Sequence, residues 1–146
     1  MLFGKQKRNV KRILIVEDEP LTAFDNESML SDAGYEVVAT VDKFEDALEV
    51  IGRQPVDLIV SDVTLRSEQT GIDLARLAKD KGIPTLLATG HPHPEAADVA
   101  IGCLMKPYTE RQLKGAIEAI DRHLSGGRAK PPKGVQLFAD PASEAD

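Results

Sequence analysis

Residues 58–63, with the sequence Leu-Ile-Val-Ser-Asp-Val, place an aspartate directly after a short run of apolar side chains. A run with so little polar alternation is typical of a strand that is buried on both faces of a parallel sheet. Ligands of an open α/β sheet bind outside the carboxyl ends of its strands. Asp62 is therefore predicted to lie at the ligand-binding edge, although a lone aspartate after a strand is more often a helix cap or a loop acid.

Strand-like runs recur along the chain and alternate with helical patterns. The further strand-like segments are 13–16, 36–40, 85–88 and 101–105, of which 36–40 is the most mixed in composition. Helical patterns cover 20–34, 44–51, 72–81 and 113–124, the last behind a capping box of Thr109 and Gln112. This alternation predicts an α/β fold with a doubly wound, five-stranded parallel sheet, in which 36–40 lies near an edge.

Composition divides the chain into a central domain and two terminal segments. Residues 1–11 are predicted to be a basic flexible arm, and 12–124 the folded domain. Glycines and prolines predict a flexible tail over 125–146, with no room left for a separate output domain. The apolar patch 135–138 within this tail is unstructured, a docking peptide, or a segment that packs back on the domain.

Charge and cysteine content exclude several classes of function. Residues 13–124 hold 10 basic and 21 acidic side chains, a net charge of −11, which should repel nucleic acid. No apolar run approaches the ~18–20 residues that span a bilayer, so membrane insertion is not expected. Cys103 is the single cysteine, which excludes an internal disulfide and favours a cytoplasmic location.

Chemically useful side chains stand at the carboxyl ends of the predicted strands. Glu17 and Asp18 follow the first strand, Asp62 ends the third, Thr89 follows the fourth, and Lys106 follows the fifth. Clustered carboxylates call for a hard cation such as Mg2+, and a carboxylate can also act as a nucleophile and form an acyl phosphate. A metal, an ammonium and a hydroxyl would together neutralise the phosphoryl oxygens, which is most of what phosphoryl transfer needs.

Four segments resemble the receiver domains of two-component response regulators. They are 13–20 (Ile-Leu-Ile-Val-Glu-Asp-Glu-Pro), 58–63, 87–90 (Leu-Ala-Thr-Gly) and 105–108 (Met-Lys-Pro-Tyr). The resemblance covers about residues 11–124 and is specific in the order and spacing of these motifs. It implies the flavodoxin-like (βα)5 fold of receivers and a single-domain response regulator.

The resemblance also assigns roles at the acidic edge. By position, Asp62 would be the phosphoacceptor. Asp18 and Asp62 would bind Mg2+ directly, together with the backbone carbonyl of Thr64. Glu17 would complete the metal pocket through a water molecule.

Two further residues would contact the phosphoryl group, and a third departs from the family pattern. Thr89 and Lys106 would bind the phosphoryl oxygens, and the bond between Lys106 and Pro107 is expected to be cis. Receivers usually carry an aromatic switch residue three positions before this lysine, where the chain has Cys103. Coupling of the threonine to a rotating ring is therefore not expected, and Cys103 is interpreted as an inert core thiol rather than a redox sensor.

The connection between the fourth and fifth strands is short and rich in proline. Its His-Pro-His-Pro sequence at 91–94 disfavours a helix, so that only 95–100 could form one, and the fourth helix is predicted to be shortened. With Ala-Thr-Gly at 88–90, the chain resembles an alphaproteobacterial receiver subgroup marked by Phe-Ala-Thr-Gly, except that Leu87 replaces the phenylalanine. This resemblance implies that 91–100 orders on phosphorylation.

The leading hypothesis is a signalling protein and not an enzyme. A sensor histidine kinase or a histidine phosphotransferase would donate the phosphoryl group to Asp62. The altered face of the fourth helix, fifth strand and fifth helix would then recognise a downstream protein partner, or the group would pass on in a phosphorelay.

Other functions stay open on the sequence alone. The main alternative is a phosphorylation-independent, receiver-like adaptor, although such a protein need not keep all the charged side chains of the site. An α/β phosphatase with an aspartyl nucleophile would want a second acid where Thr64 stands. A flavin-binding protein would meet an acidic loop that repels phosphate. A metal site at His91 and His93 is disfavoured, because no third soft ligand lies close in the sequence.

Overall fold

The computed structural model of the chain describes residues 8–128 and 130–138. Six strands form a sheet in the order β2-β1-β3-β4-β5-β6, parallel except for β6. The strands are β1 Arg12–Val16, β2 Glu36–Val41, β3 Leu58–Asp62, β4 Thr85–Thr89, β5 Gly102–Met105 and β6 Val135–Leu137. The helices are α1 Pro20–Asp32, α2 Phe44–Arg53, α3 Gly71–Asp80 and α4 Glu110–Leu124, with a 3-10 helix at Pro94–Asp98.

Apolar layers cover both faces of the sheet, as a doubly wound fold requires. One layer joins α1 and α4 to the sheet through residues such as Leu30 and Ile117. Another joins α2 and α3 to the opposite face through residues such as Phe44 and Leu74. Every residue of β3 and β4 is buried, whereas β2 at the edge is only partly covered. The prediction of a doubly wound parallel sheet with 36–40 at an edge is therefore confirmed.

Capping residues fix the starts of the helices at the edge of the sheet where the parallel strands end. In the predicted capping box, the Gln112 N–H donates to Thr109 Oγ1 at 3.1 Å, and the Thr109 N–H donates to Gln112 Oε1 at 2.8 Å. Thr70 and Asp73 form a second capping box at α3, and Pro20 is the first residue of α1. Among the described residues, none of the helices has the length and apolar character needed to cross a bilayer.

The connection from β4 to β5 contains only the five-residue 3-10 helix. Pro94 opens it, and Ala96 and Ala100 pack into an apolar cluster that includes Leu87. The predicted shortening of the fourth helix is confirmed. Its physical cause is the pair of prolines at 92 and 94, which restrict the backbone before a longer helix could begin.

The sheet has one strand more than predicted, because residues 135–137 pair with β5. The expectation of a five-stranded sheet followed by a flexible tail is wrong for this segment. Val135 and Leu137 alternate with Gln136, so that two apolar side chains face the core on one side of a short strand. Of the three alternatives for the patch 135–138, packing back on the domain is the one observed. Residues 129 and 139–146 lie outside the described residues.

Residues 8–11 belong to the folded body and are not a flexible arm. Val10 is fully buried in the core, and the Asn9 N–H donates to Asp121 Oδ1 at 2.8 Å. The Arg8 guanidinium lies 4.7 Å from the centre of the Tyr35 ring, a cation–π contact. The charge of this segment predicted solvent exposure, but one valine between polar residues anchors it. The rest of the predicted arm, residues 1–7, lies outside the described residues.

Candidate functional site

Three carboxylates meet at the carboxyl edge of the sheet. Glu17 and Asp18 directly follow β1, and Asp62 ends the neighbouring strand β3. One carboxylate oxygen from each residue lies within 4.8 Å of the others. Glu17 and Asp62 are buried, with 6% and 4% of their surface exposed, and Asp18 is half-buried. Such a cluster could hold a hard divalent cation, because carboxylate oxygens are its preferred ligands.

Burial beside Asp62 changes the protonation of Glu17. Burial, followed by a side-chain hydrogen bond with Asp62, raises the pKa of Glu17 to about 8. The Glu19 N–H donates to Glu17 Oε2 at 2.9 Å and offsets part of this increase. At neutral pH, Glu17 therefore holds a proton when no cation is near, and a bound cation would favour the ionised form.

A lysine from the neighbouring edge of the sheet reaches the same carboxylates. Lys106 follows β5, and its Nζ lies 2.8 Å from Asp62 Oδ1. Burial lowers the pKa of Lys106, but the hydrogen bond and charge of Asp62, together with the charge of Glu17, outweigh burial and raise the pKa above its usual value. The ammonium thus stays charged. The Lys106–Pro107 peptide bond is cis, as the sequence predicted.

Thr89 lies at the site with its hydroxyl engaged by the following loop. It is buried at the end of β4, one residue beyond the position that pairs with Asp62. Its Oγ1 donates to the His91 carbonyl at 3.0 Å and accepts from the His91 N–H at 3.2 Å. To bind a phosphoryl oxygen, the Thr89 hydroxyl would have to exchange the His91 carbonyl for a new acceptor.

The backbone beside Asp62 packs against the start of α3, a contact that the sequence analysis missed. The Gly71 N–H donates to the Val63 carbonyl at 2.7 Å. A Cβ at Gly71 would lie only 2.0 Å from the carbonyl oxygen of Asp62, so no other residue fits without displacing this strand end. A glycine as the first residue of an apolar helix was the available signal. Thr64 is exposed two residues after Asp62, and its carbonyl remains a predicted metal ligand.

A second missed contact joins α1 to the loop after the lysine. The Asn26 side-chain amide donates to the Tyr108 hydroxyl oxygen at 2.8 Å, and Asn26 is buried although it lies within a helix. Burial raises the pKa of Tyr108, which keeps the phenol neutral. A polar residue on the inner face of α1 was the signal for this link, which fixes the segment carrying Lys106 against α1.

Cys103 and the two loop histidines do not belong to the cluster of three carboxylates at the site. Cys103 is half-buried and packs with Val99 against an apolar cluster, and burial raises the pKa of its thiol. The interpretation as core is consistent with these surroundings. His93 Nδ1 lies 4.0 Å from a Glu95 carboxylate oxygen, and His91 is exposed. Across 8–128 and 130–138, neither histidine joins a cluster of three side chains that could hold a metal.

Comparison with known proteins agrees with this geometry. Residues 13–118 match the response regulator receiver domain. The chain belongs to this family. It is 31% identical over 119 residues to the transcriptional regulatory protein PdtaR of Mycobacterium tuberculosis, a match that covers 77% of the chain and 58% of PdtaR. The chain thus spans little more than half the length of this relative.

Other relatives are matched over almost their whole length. The chemotaxis protein CheY of Pseudomonas aeruginosa is 31% identical over 124 residues, covering 79% of the chain and 99% of CheY. The crystal structure of a response regulator receiver protein from Sinorhizobium medicae is 31% identical, with a TM-score of 0.65, covering 75% of the chain and 92% of that protein. The predicted family and flavodoxin-like fold are therefore confirmed.

Proposed function

We propose that this receiver accepts a phosphoryl group on Asp62 and signals through the resulting change of conformation. The observation that carries this proposal is the surroundings of Asp62, a buried carboxylate beside Glu17 and Asp18 with the Lys106 ammonium at 2.8 Å. In the transfer step, an Asp62 carboxylate oxygen bonds to the phosphorus of a phosphohistidine. The phosphorus–nitrogen bond breaks, its electron pair returns to the imidazole, and an acyl phosphate forms.

The carboxylates fit a magnesium ion, which prefers oxygen ligands and carries the charge that two or three clustered acids require. Asp18 and Asp62 would bind it directly with the Thr64 carbonyl, and Glu17 would support it through water. When bound, Mg2+ supplies positive charge that neutralises the phosphoryl oxygens. The chain's own contribution is to hold Asp62 in a fixed position and to place the other acids of the pocket around the metal.

Lys106 and Thr89 would respond to the new group. The ammonium now paired with Asp62 Oδ1 is long and flexible enough to move to a phosphoryl oxygen. The Thr89 hydroxyl would leave the His91 carbonyl for another phosphoryl oxygen. Because His91 begins the short connection to β5, this exchange would change the conformation of 91–100.

Exposed apolar side chains support exchange with a protein donor. On α1, which begins two residues after Asp18, Leu21 and Phe24 expose 74% and 68% of their surface, a large exposure for apolar residues of a helix packed on a core. We interpret this surface as the place where a histidine kinase or histidine phosphotransferase docks. The output would be a protein contact or onward transfer, without enzymatic turnover, and the expected setting is the cytoplasm.

The proposal is tested by intact mass spectrometry after incubation with acetyl phosphate, with and without Mg2+. We expect one Mg2+-dependent phosphoryl addition in the unmodified protein, none in Asp62→Asn, and a normal addition in Asp80→Asn, which removes an exposed aspartate. If the unmodified protein gains no phosphoryl group under any condition, the phosphorylation-independent adaptor becomes the better description.

A further inference from the structure

The outer edge of β5 is covered by a short strand from the C-terminal part of the chain. β6 runs antiparallel to β5, and the Met105 N–H extends the pairing by donating to the Gly134 carbonyl at 2.8 Å. The facing pairs are Gly102–Leu137, Cys103–Gln136 and Leu104–Val135. Without β6, β5 would be an open edge strand with unpaired backbone groups.

The body of the receiver is shaped to accept this segment. A Cβ at Gly102 would lie 2.7 Å from the Gln136 carbonyl oxygen, and one at Gly115 would lie 3.0 Å from Pro132 Cγ. Two glycines on different elements, β5 and α4, thus leave room for the same incoming chain. This fit indicates a docking groove and not an incidental contact of a tail.

The segment is nevertheless held by few contacts. β6 has three residues, of which Val135 and Leu137 are half-buried and Gln136 is exposed. Two hydrogen bonds add to the pairing: the Phe138 N–H donates to the Ile101 carbonyl at 2.9 Å, and the Gln112 side-chain amide donates to the Lys133 carbonyl at 2.7 Å. Short edge strands with little buried surface open locally before the rest of a domain. β6 is therefore the element of the sheet that detaches most easily.

A short chain of contacts connects β6 to the site. The Gly134 carbonyl accepts a hydrogen bond from the N–H of Met105, the residue before Lys106. The Lys106 N–H donates to the Thr89 carbonyl at 2.9 Å, and its ammonium pairs with Asp62. A shift of the Thr89–Lys106 backbone on phosphorylation would therefore reach, through the adjoining Met105 peptide, the hydrogen bond that holds the start of β6.

We infer that the β5 edge and its α4 groove form a strand-docking surface, which β6 covers at rest and which phosphorylation uncovers. The inference rests on the proposed phosphorylation of Asp62. The occupant after release is an extended strand of a partner protein with apolar side chains at alternate positions, the pattern that Val135 and Leu137 present. Strand addition supplies main-chain hydrogen bonds for affinity and apolar pockets for specificity.

The single cysteine can be used to measure the release of β6. This residue, Cys103, lies opposite Gln136, so detachment of β6 uncovers one side of the thiol. Alkylation of Cys103 by a maleimide, followed by intact mass, counts the alkyl and phosphoryl additions in the same molecules. We expect alkylation to be at least about threefold faster after acetyl phosphate and Mg2+, and unchanged by this treatment in Asp62→Asn.

A release variant tests the covering role without phosphorylation. Gln136→Pro removes a backbone donor from β6 while changing an exposed side chain, and Gln136→Thr is the matched control. We expect fast alkylation of Gln136→Pro with or without acetyl phosphate, and behaviour like the unmodified protein from Gln136→Thr. Phosphoryl addition to Gln136→Pro shows in the same spectrum that the variant is folded.

A fluorescent peptide with the sequence of residues 131–138 tests the docking surface itself. It should bind Gln136→Pro and the phosphorylated protein, but bind the resting protein at least tenfold more weakly, and a scrambled peptide should not bind. Normal phosphorylation with unchanged or slower Cys103 alkylation overturns the inference while leaving the proposed function intact. Failure of the peptide to bind folded Gln136→Pro also overturns it. Absence of phosphoryl addition counts against the proposed function instead.

Discussion

Lys106 Nζ lies 2.8 Å from Asp62 Oδ1 and joins two strand ends that β4 separates. The carboxylate is 4% exposed and the lysine 38%, so the negative partner is buried and the positive partner reaches it from the surface. This asymmetry lets the ammonium follow a charge added to Asp62. It also means that Asp62 depends on Lys106 for compensation at rest.

Lys106→Ala should weaken the fold and uncouple the response. Removing the ammonium leaves a buried carboxylate beside other acids, and we expect the free energy of unfolding to fall by about 1–3 kcal/mol. Urea denaturation measures this loss, and Lys114→Ala on the exposed side of α4 is the control. Acetyl phosphate should still modify Asp62, but Cys103 alkylation should no longer accelerate. An accelerated response in Lys106→Ala would contradict the role given to the lysine.

Glu17→Gln should change how stability depends on pH in EDTA. The pKa of Glu17 is about 8 in the folded chain, against an ordinary value of 4.5. A carboxyl group whose pKa is raised by folding contributes its full stability when the pH is below its pKa in the unfolded chain. This stability is lost as the pH rises to its pKa in the folded chain. Unmodified protein should therefore lose roughly 2–4 kcal/mol relative to Glu17→Gln between pH 4.5 and 8. Parallel stability curves for the two proteins would rule out this explanation, and Glu68→Gln controls for surface charge.

Local sequence patterns were sufficient for the sheet and for most of the site. Four of the five parallel strands centre on a short, mainly apolar run, and the side chain that follows each run must lie at the same edge. Asp62, Glu17 and Lys106 could therefore be brought together from their positions along the chain. Their ordering along the chain also carried the family resemblance, which the match over 13–118 confirms.

What the sequence did not yield depends on pairing between distant segments. β6 is too short to show a periodic pattern, and its place depends on Gly102 and Gly115 leaving room for it. Val10 is a single apolar residue among charges, so its burial could not be distinguished from exposure. The Gly71 contact likewise needs the end of β3 and the start of α3 in three dimensions. These features follow from tertiary fit and not from local propensity.

Gly71→Ala should destabilise the chain through a clash with the strand end that carries Asp62. The new Cβ would lie 2.0 Å from the Asp62 carbonyl oxygen, so β3 or α3 must shift. We expect a loss of about 2 kcal/mol or more, together with slower phosphorylation of the displaced aspartate. Gly52→Ala is the matched control, because nothing lies within 4 Å of its added Cβ. That variant should gain up to about 1 kcal/mol from helix propensity. Equal effects of the two substitutions on urea denaturation would show that the close approach at Gly71 does not constrain the site.

Phe24→Asp should separate transfer from a protein donor from transfer from a small molecule. Phe24 is 68% exposed on α1, so its replacement changes a surface and leaves the core and the carboxylates intact. We expect phosphorylation by acetyl phosphate to proceed at the unmodified rate. Transfer from a phosphorylated histidine kinase or phosphotransferase should slow by about 5- to 30-fold, since one apolar anchor at an interface contributes about 1–2 kcal/mol. Leu77→Asp, on the exposed face of α3, controls for the loss of an apolar side chain elsewhere. If Phe24→Asp slows both donors alike, Phe24 acts through the geometry of the site, whereas no effect on either donor removes α1 as the docking surface.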